Sequence, residues 1–167
     1  MTAAQVQLLF SDYADAFSVR AIDRITESWT FPAFILFSGK QIGFDRQAFY
    51  DNATRLCAFY GAQGVVRAHK EIVALYHFTT TNASVKTADK LYDATDQLIA
   101  EWEHVYLLTE TADGLKIAAA IADNEVCAWR DRGTPIGGKA SERDEAGGYD
   151  ERAGDNVEVR HPNPVRA

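Results

Sequence analysis

Residues 100–108, AEWEHVYLL, combine two carboxylates, an imidazole and a phenol in nine positions. Alternate residues of a β-strand point to opposite faces, so the acids share one face and the rings the other. One face carries Glu101, Glu103, Val105 and Leu107, and the mainly apolar one carries Ala100, Trp102, His104, Tyr106 and Leu108. A carboxyl in a dry pocket has its pKa raised, by up to roughly 3–5 units on full burial, and becomes a neutral proton donor. Glu103 is therefore a candidate pocket acid, or else, with Glu101 beside it, an ordinary solvated strand carboxylate.

Two further residues have side chains suited to acid–base or hydrogen-bond chemistry. Tyr13 lies on the apolar stripe of an N-terminal helix, where it is either a core tyrosine with a satisfied hydroxyl or a donor to a ligand oxygen. Asp123 follows Ile117, Ala119 and Ile121 on one face of the last expected strand. It is either a base or acid near the mouth of a pocket or a strand-end residue.

Histidines and aromatic residues supply the remaining candidates for a binding site. His69 and His77 are about 26 Å apart on an ideal strand, so at most one of them belongs to a given site. Many aromatic residues in the first 60 positions are core candidates, and some are expected to line an apolar cavity. The expected substrate-binding residues are Trp29, Phe37, Phe59, Tyr60 and His77.

Helices precede strands along the chain. Helical spacing of Val6, Phe10, Tyr13 and Phe17 predicts a first helix, Ser18 can cap a second, and Asp45 a third. After Gly64 the apolar period changes to two, which predicts long strands. The first of these strands is long enough that we expect a bulge in it, and Asp113-Gly114 predicts a hairpin turn. The last strand is expected to run through the segment LKIAAAIADNEVCAW.

This order predicts an α+β domain over residues 1–130, with three helices packed on one face of a strongly curved, mainly antiparallel sheet. Residues 131–167 are rich in glycine, proline and charge, which predicts a polar, irregular tail because such a segment buries little apolar surface. Cys57 and Cys127 have no redox or zinc spacing and are expected to be small core residues.

Composition excludes several classes of partner. The chain has 167 residues, a hydrophobic fraction of 47% and a net charge of −7, so we expect neither a nucleic-acid nor a membrane partner. No residue pattern requires a cofactor or a metal ion. The start of the chain lacks a basic segment and has Asp12 and Asp15 where a signal peptide would stay apolar, which predicts a cytoplasmic protein.

The chain resembles the nuclear-transport-factor-2-like (cystatin-like) superfamily of α+β cones, which includes ketosteroid isomerase, polyketide cyclases and scytalone dehydratase. The resemblance covers about residues 3–130 and rests on the helices LLFSDYADAFSVRAIDRITESW and DRQAFYDNATRLCAFYG and the hairpin LIAEWEHVYLLTETADGLKIAAAIADNE. It implies a deep, apolar pocket. By position it places Tyr13 and Glu103 where the isomerase has its oxyanion hole, which consists of a tyrosine and a carboxylic acid whose raised pKa keeps it protonated. No carboxylate stands at residues 36–38, where the isomerase has its base.

In relatives the outer face of the sheet often pairs two subunits. The resemblance therefore implies a homodimer, with Trp102, His104 and Tyr106 expected on that outer face at its interface. Two functions follow. The first is a small-molecule enzyme of isomerase, cyclase or dehydratase type that acts on an apolar carbonyl compound, with Tyr13, Glu103 and Asp123 as catalytic groups. The second is a non-catalytic ligand-binding or dimerisation module of the same fold.

Overall fold

The computed structural model describes residues 1–136 as four helices and a six-stranded sheet. The helices are α1 (Ala3–Ser18), α2 (Ile22–Glu27), α3 (Arg46–Ala62) and α4 (Asp123–Asp131). The strands are β1 (Trp29–Phe37), β2 (Lys40–Phe44), β3 (Arg67–His77), β4 (Asn82–Tyr92), β5 (Leu98–Thr111) and β6 (Gly114–Ile121). The predicted α+β class is confirmed. The predicted tail falls mostly on residues 137–167, which lie outside the described residues.

The sheet has the order β2-β1-β6-β5-β4-β3, and all neighbours are antiparallel except the parallel pair β1 and β6. The pairing register shifts in several strands, including the predicted bulge of β3, between Ile72 and Ala74. Bulges bend a strand and increase its local twist. Helices α1 and α3 contact β3, β6, β1 and β2, so one face of the sheet becomes the inner wall of the domain.

Local capping sets the ends of the helices. Thr2 forms a capping box with Gln5 at the start of α1, and the Asp45 carboxylate accepts a hydrogen bond from the Ala48 amide at the start of α3, as predicted. The prediction that Ser18 caps the second helix is wrong. Ser18 ends α1, and its hydroxyl donates to the Ala14 carbonyl and accepts from the Ala68 amide, which ties α1 to β3.

The last predicted strand is too long. β6 ends at Ile121, and the chain turns into α4, which places Glu125 and Trp129 in the interior. Acidic residues in the first turn of α4 favour the helix because the helix dipole is positive there. In the described part of the chain, no helix is long and apolar enough to span a membrane.

Candidate functional site

A cavity of about 330 Å³ lies between the inner sheet face, α1 and α3. This volume is at the lower end of the ~300–1,000 Å³ typical of small-molecule sites. Apolar side chains form most of its wall: Phe17, Ile25, Trp29, Ile35, Phe49, Leu56, Phe59, Leu91 and Ile136. Several of its polar side chains contact one another, among them Lys70, Asp89, His104 and Tyr106, and polar groups in a mainly apolar wall are usual in a binding site for a small organic molecule.

Strand register brings these polar side chains together. Alternation on β4 and β5 turns Thr87, Asp89, Trp102, His104 and Tyr106 to the inner face, where all five are buried. These strands pair directly, with Asp89 opposite Trp102 and Thr87 opposite His104. A polar group can stay in such an interior only when it has hydrogen-bond partners, so the contacts of each group decide what the site can do.

Asp89 is the centre of the network. Its carboxylate pairs with the Lys70 ammonium, accepts a hydrogen bond from the Thr87 hydroxyl at 2.7 Å, and lies 3.0 Å from His104 Nδ1. Burial by itself would raise the pKa of this carboxyl, but the Lys70 charge and the His104 contact outweigh burial and hold that pKa well below its usual range. Asp89 is therefore a fixed anion and not a proton donor at neutral pH.

Lys70 is only 8% exposed, and its ammonium pairs with Asp89 and donates to the Tyr106 hydroxyl at 2.8 Å. An ammonium has three N–H donors, and these two contacts use two of them. Among residues 1–136 no third acceptor bonds to Lys70, and Lys70 lines the cavity. Lys70 thus has one N–H available to an oxygen atom of a bound molecule.

The ring of His104 has different surroundings at its two nitrogens. Nδ1 lies 3.0 Å from Trp102 Nε1, which can only donate, and 3.0 Å from the Asp89 carboxylate. A proton on Nδ1 therefore serves Asp89, whereas an unprotonated Nδ1 accepts from Trp102. Nε2 is buried and has no hydrogen-bond partner in the described part of the protein. The ring can hold its proton on either nitrogen.

Glu125 faces His104 from α4. Its Oε1 accepts a hydrogen bond from the Tyr60 hydroxyl, and its Oε2 lies 3.8 Å from His104 Nε2. This separation is too long for a direct hydrogen bond. His104 Nε2 and the Glu125 carboxylate are therefore neighbours without a direct bond, an arrangement that can support acid–base chemistry.

The aromatic hydroxyls of the cavity are held neutral. Burial, the largest cause, raises the pKa values of Tyr13, Tyr60 and Tyr106, and nearby carboxylates raise them further. Tyr13 accepts a hydrogen bond from Trp29 Nε1 at 3.0 Å, which leaves its own O–H to donate. These groups can therefore serve as hydrogen-bond donors, and not as bases.

The structure places four of the predicted site residues in the cavity wall: Tyr13, Trp29, Phe59 and Tyr60. Phe37 and His77 lie outside it, the first half-buried on β1 and the second exposed at the end of β3. His69 touches the cavity, but alternation with the buried Lys70 directs its side chain outward.

The predicted pocket position of Glu103 is wrong. Its side chain is 48% exposed on the outer sheet face and pairs with Lys86 at 2.7 Å, since it alternates with the buried Trp102 and His104. Asp123 is also outside the cavity, because it begins α4 and accepts a hydrogen bond from the Ser38 amide at 2.8 Å.

Trp102, His104 and Tyr106 were expected on the outer face at a dimer interface, and the structure places them inside the cavity. These three residues therefore cannot form the interface of a homodimer, and the homodimer itself stays a prediction. Sequence reasoning did not find Lys70, Asp89 or Glu125. For Asp89 a signal existed: Thr87 and Asp89 fall between Val85 and Leu91 on the alternating apolar face of β4.

Residues 1–136 contain no group of three His, Cys, Asp or Glu side chains close enough to bind a metal ion. Cys57 is buried in the core, and burial raises the pKa of its thiol to about 11.

Comparison with solved structures shows the fold. An NTF2-like protein of unknown function from Shewanella oneidensis is 11% identical with a TM-score of 0.58, covering 72% of this chain and 98% of its own. A ketosteroid isomerase-like protein from Erwinia carotovora is 18% identical with a TM-score of 0.53, covering 71% and 92%. A function-unknown protein from Mycobacterium tuberculosis is 19% identical with a TM-score of 0.54, covering 71% and 68%.

No curated protein matches the chain significantly. The sequence model of a family described as NTF2-like protein (DUF6841) matches residues 4–125, which include every helix and strand except the greater part of α4. The chain therefore belongs to this NTF2-like family.

Proposed function

We propose that the protein binds a small, largely apolar carbonyl compound in its cavity and catalyses proton transfer at the carbon beside the carbonyl, as isomerases and dehydratases do. The observation that carries the proposal is the unpartnered, buried Nε2 of His104, 3.8 Å from the Glu125 carboxylate in the wall of a mainly apolar cavity. The NTF2-like fold includes isomerases and dehydratases, and this geometry adds groups able to perform their common step.

His104 is the proposed base. With its proton on Nδ1, donated to the fixed Asp89 anion in place of the hydrogen bond that Nδ1 accepts from Trp102 Nε1, Nε2 has an unpartnered lone pair. The Asp89 carboxylate then stabilises the imidazolium that forms when Nε2 takes a proton from the substrate. Asp89 is a positioning residue in this account, since the contacts of its carboxylate are with protein groups.

Lys70 is the proposed electrophile. Removal of a proton next to a carbonyl leaves negative charge on the carbonyl oxygen, and the free N–H of Lys70 can donate to that oxygen. Tyr106 and Asp89 hold the ammonium in place before the reaction. A fixed donor in a site poor in water stabilises developing charge more than a mobile donor in solution does.

Glu125 and Tyr60 supply the second half of a proton transfer. The abstracted proton must return to another carbon for isomerisation, or reach a leaving hydroxyl for dehydration, which then departs as water. In this proposal His104 Nε2 and Glu125 Oε2, 3.8 Å apart, are the two groups that exchange this proton with the bound substrate. The Tyr60 hydroxyl holds the other oxygen of Glu125 and so fixes the direction of Oε2.

The experiment is deuterium incorporation, because it detects proton transfer whatever the net reaction is. A panel of apolar ketones and β-hydroxy ketones is incubated with the protein in D2O, and loss of the proton signal beside the carbonyl is followed by NMR. We expect exchange with the wild type and with His77→Gln, a histidine variant outside the cavity. His104→Gln should lose about 100-fold or more of the rate, the usual contribution of a general base.

Binding of these ketones without exchange would contradict the proposal and favour the non-catalytic ligand-binding module. Equal exchange rates for His104→Gln and the wild type would contradict the assignment of the base.

A further inference from the structure

Charged groups are distributed unequally along the cavity. Its inner end contains the Asp89 and Glu125 carboxylates against one ammonium, that of Lys70, and all three side chains are buried. A third carboxylate at that end would be repelled by the other two and would lose its hydration, with only the one free N–H of Lys70 to replace it. A substrate anion is therefore better held at the exposed end of the cavity.

A cationic side chain stands at that exposed end. Asn52, Arg55, Leu56 and Phe59 follow the spacing of one helical face of α3, and all line the cavity. Arg55 is exposed, whereas Leu56 and Phe59 are half-buried. This row forms the rim of the cavity, with apolar side chains on the inner side and a guanidinium facing solvent.

Most cationic side chains in residues 1–136 already have a partner in the protein. Contacts with a protein oxygen atom or an aromatic ring occupy Arg20, Arg46, Arg67, Lys70, Lys86, Lys116, Arg130 and Arg132. Within that range, Arg55 has no hydrogen bond, ion pair or ring contact, and it is the cation of the cavity rim.

We infer that the substrate is an amphipathic acid: an apolar body with a carboxylate or similar anion at one end, held by Arg55 and Asn52 at the rim. This inference rests on the proposed function, and it adds the orientation of the substrate. The anion stays near solvent, the apolar body fills the middle of the cavity, and the reacting carbonyl reaches Lys70 and His104. A guanidinium binds a carboxylate through two parallel N–H donors, and the Asn52 amide adds a neutral donor.

The test compares two probes of nearly equal shape, naphthalene-1-acetate and naphthalene-1-acetamide, by titration calorimetry at pH 7 and low ionic strength. The wild type should bind the acid more tightly than the amide. Arg55→Gln should weaken binding of the acid roughly two- to fivefold, the value of an ion pair at an exposed site, and leave the amide unchanged. The matched control is Lys40→Gln, which removes an equal charge from the first residue of β2, outside the cavity, and should change neither affinity.

Equal affinity of the wild type for the two probes, equal losses of both on Arg55→Gln, or failure of both to bind would overturn the inference. The deuterium-exchange experiment judges the proposed function separately, since it requires neither probe and neither Arg55 nor Lys40 takes part in proton transfer.

Discussion

Replacement of Asp89 by asparagine removes the anion that Lys70, Thr87 and His104 share, while the shape of the side chain is nearly unchanged. Asp89 is 2% exposed and Lys70 is 8% exposed, so the variant leaves an ammonium inside the protein without a counter-charge. Removal of one partner of a buried ion pair costs about 3–5 kcal/mol. Because a domain has about 5–15 kcal/mol of total stability, Asp89→Asn should lose a large part of it.

Urea unfolding, followed by tryptophan fluorescence at pH 7, measures this loss as a lower midpoint with an unchanged slope. Glu103→Gln is the matched control, since it breaks the exposed pair with Lys86 and should cost less than about 1 kcal/mol. The double variant Lys70→Met/Asp89→Asn removes both charges. It should be less destabilised than the sum of the two single variants, because the members of one network are coupled.

The pH dependence has a definite sign. Since the pKa of the Asp89 carboxyl is lowered in the folded protein, its contribution to stability is fully present above the unfolded value of about 3.9 and is lost as the pH falls through the folded value. The wild type should lose this contribution below pH 4, and Asp89→Asn should show a flatter acid limb. An Asp89→Asn variant as stable as Glu103→Gln would refute the account of a buried, charged network.

Two further predictions concern buried groups whose pKa values are raised in the folded protein. Because burial raises the pKa values of Tyr13, Tyr60 and Tyr106, a spectrophotometric titration should show these three phenols ionising only when the protein unfolds in alkali. Reversible ionisation of all seven tyrosines of the chain near pH 10 would contradict their burial. Because burial raises the pKa of the Cys57 thiol to about 11, this thiol should react slowly with a disulfide reagent at pH 8, after the half-buried Cys127; equal rates would contradict its place in the core.

Element order and alternation predicted most of the fold. The third helix with its Asp45 cap, the bulged β3 and the hairpin at Asp113-Gly114 all follow from local rules of spacing and capping. The beginning of α4 was not predicted, because the apolar alternation of β6 continues into Ala122. The change from strand spacing to helix spacing therefore cannot be seen at that point of the sequence.

In the site, the resemblance to ketosteroid isomerase led to a wrong prediction of which face of β5 lines the cavity. Alternation alone put Glu103 on the more polar face of β5 and His104 on the apolar one, and the structure has this arrangement. Transfer of a late-strand acid from the isomerase pattern reversed it. Lys70 and Asp89 come from different strands, 19 positions apart, and only their pairing in the sheet brings them together.

Chemical rescue tests the central claim, that His104 performs the proton transfer inside the cavity, most directly. His104→Ala leaves a space beside Asp89 and Glu125, and added imidazole can occupy it with the same nitrogen chemistry. With a ketone that the wild type deuterates, the account predicts that His104→Ala is inactive and that imidazole restores exchange with saturation, while His77→Ala needs no rescue. Full activity of His104→Ala without imidazole, or no rescue of a correctly folded variant, would contradict the account.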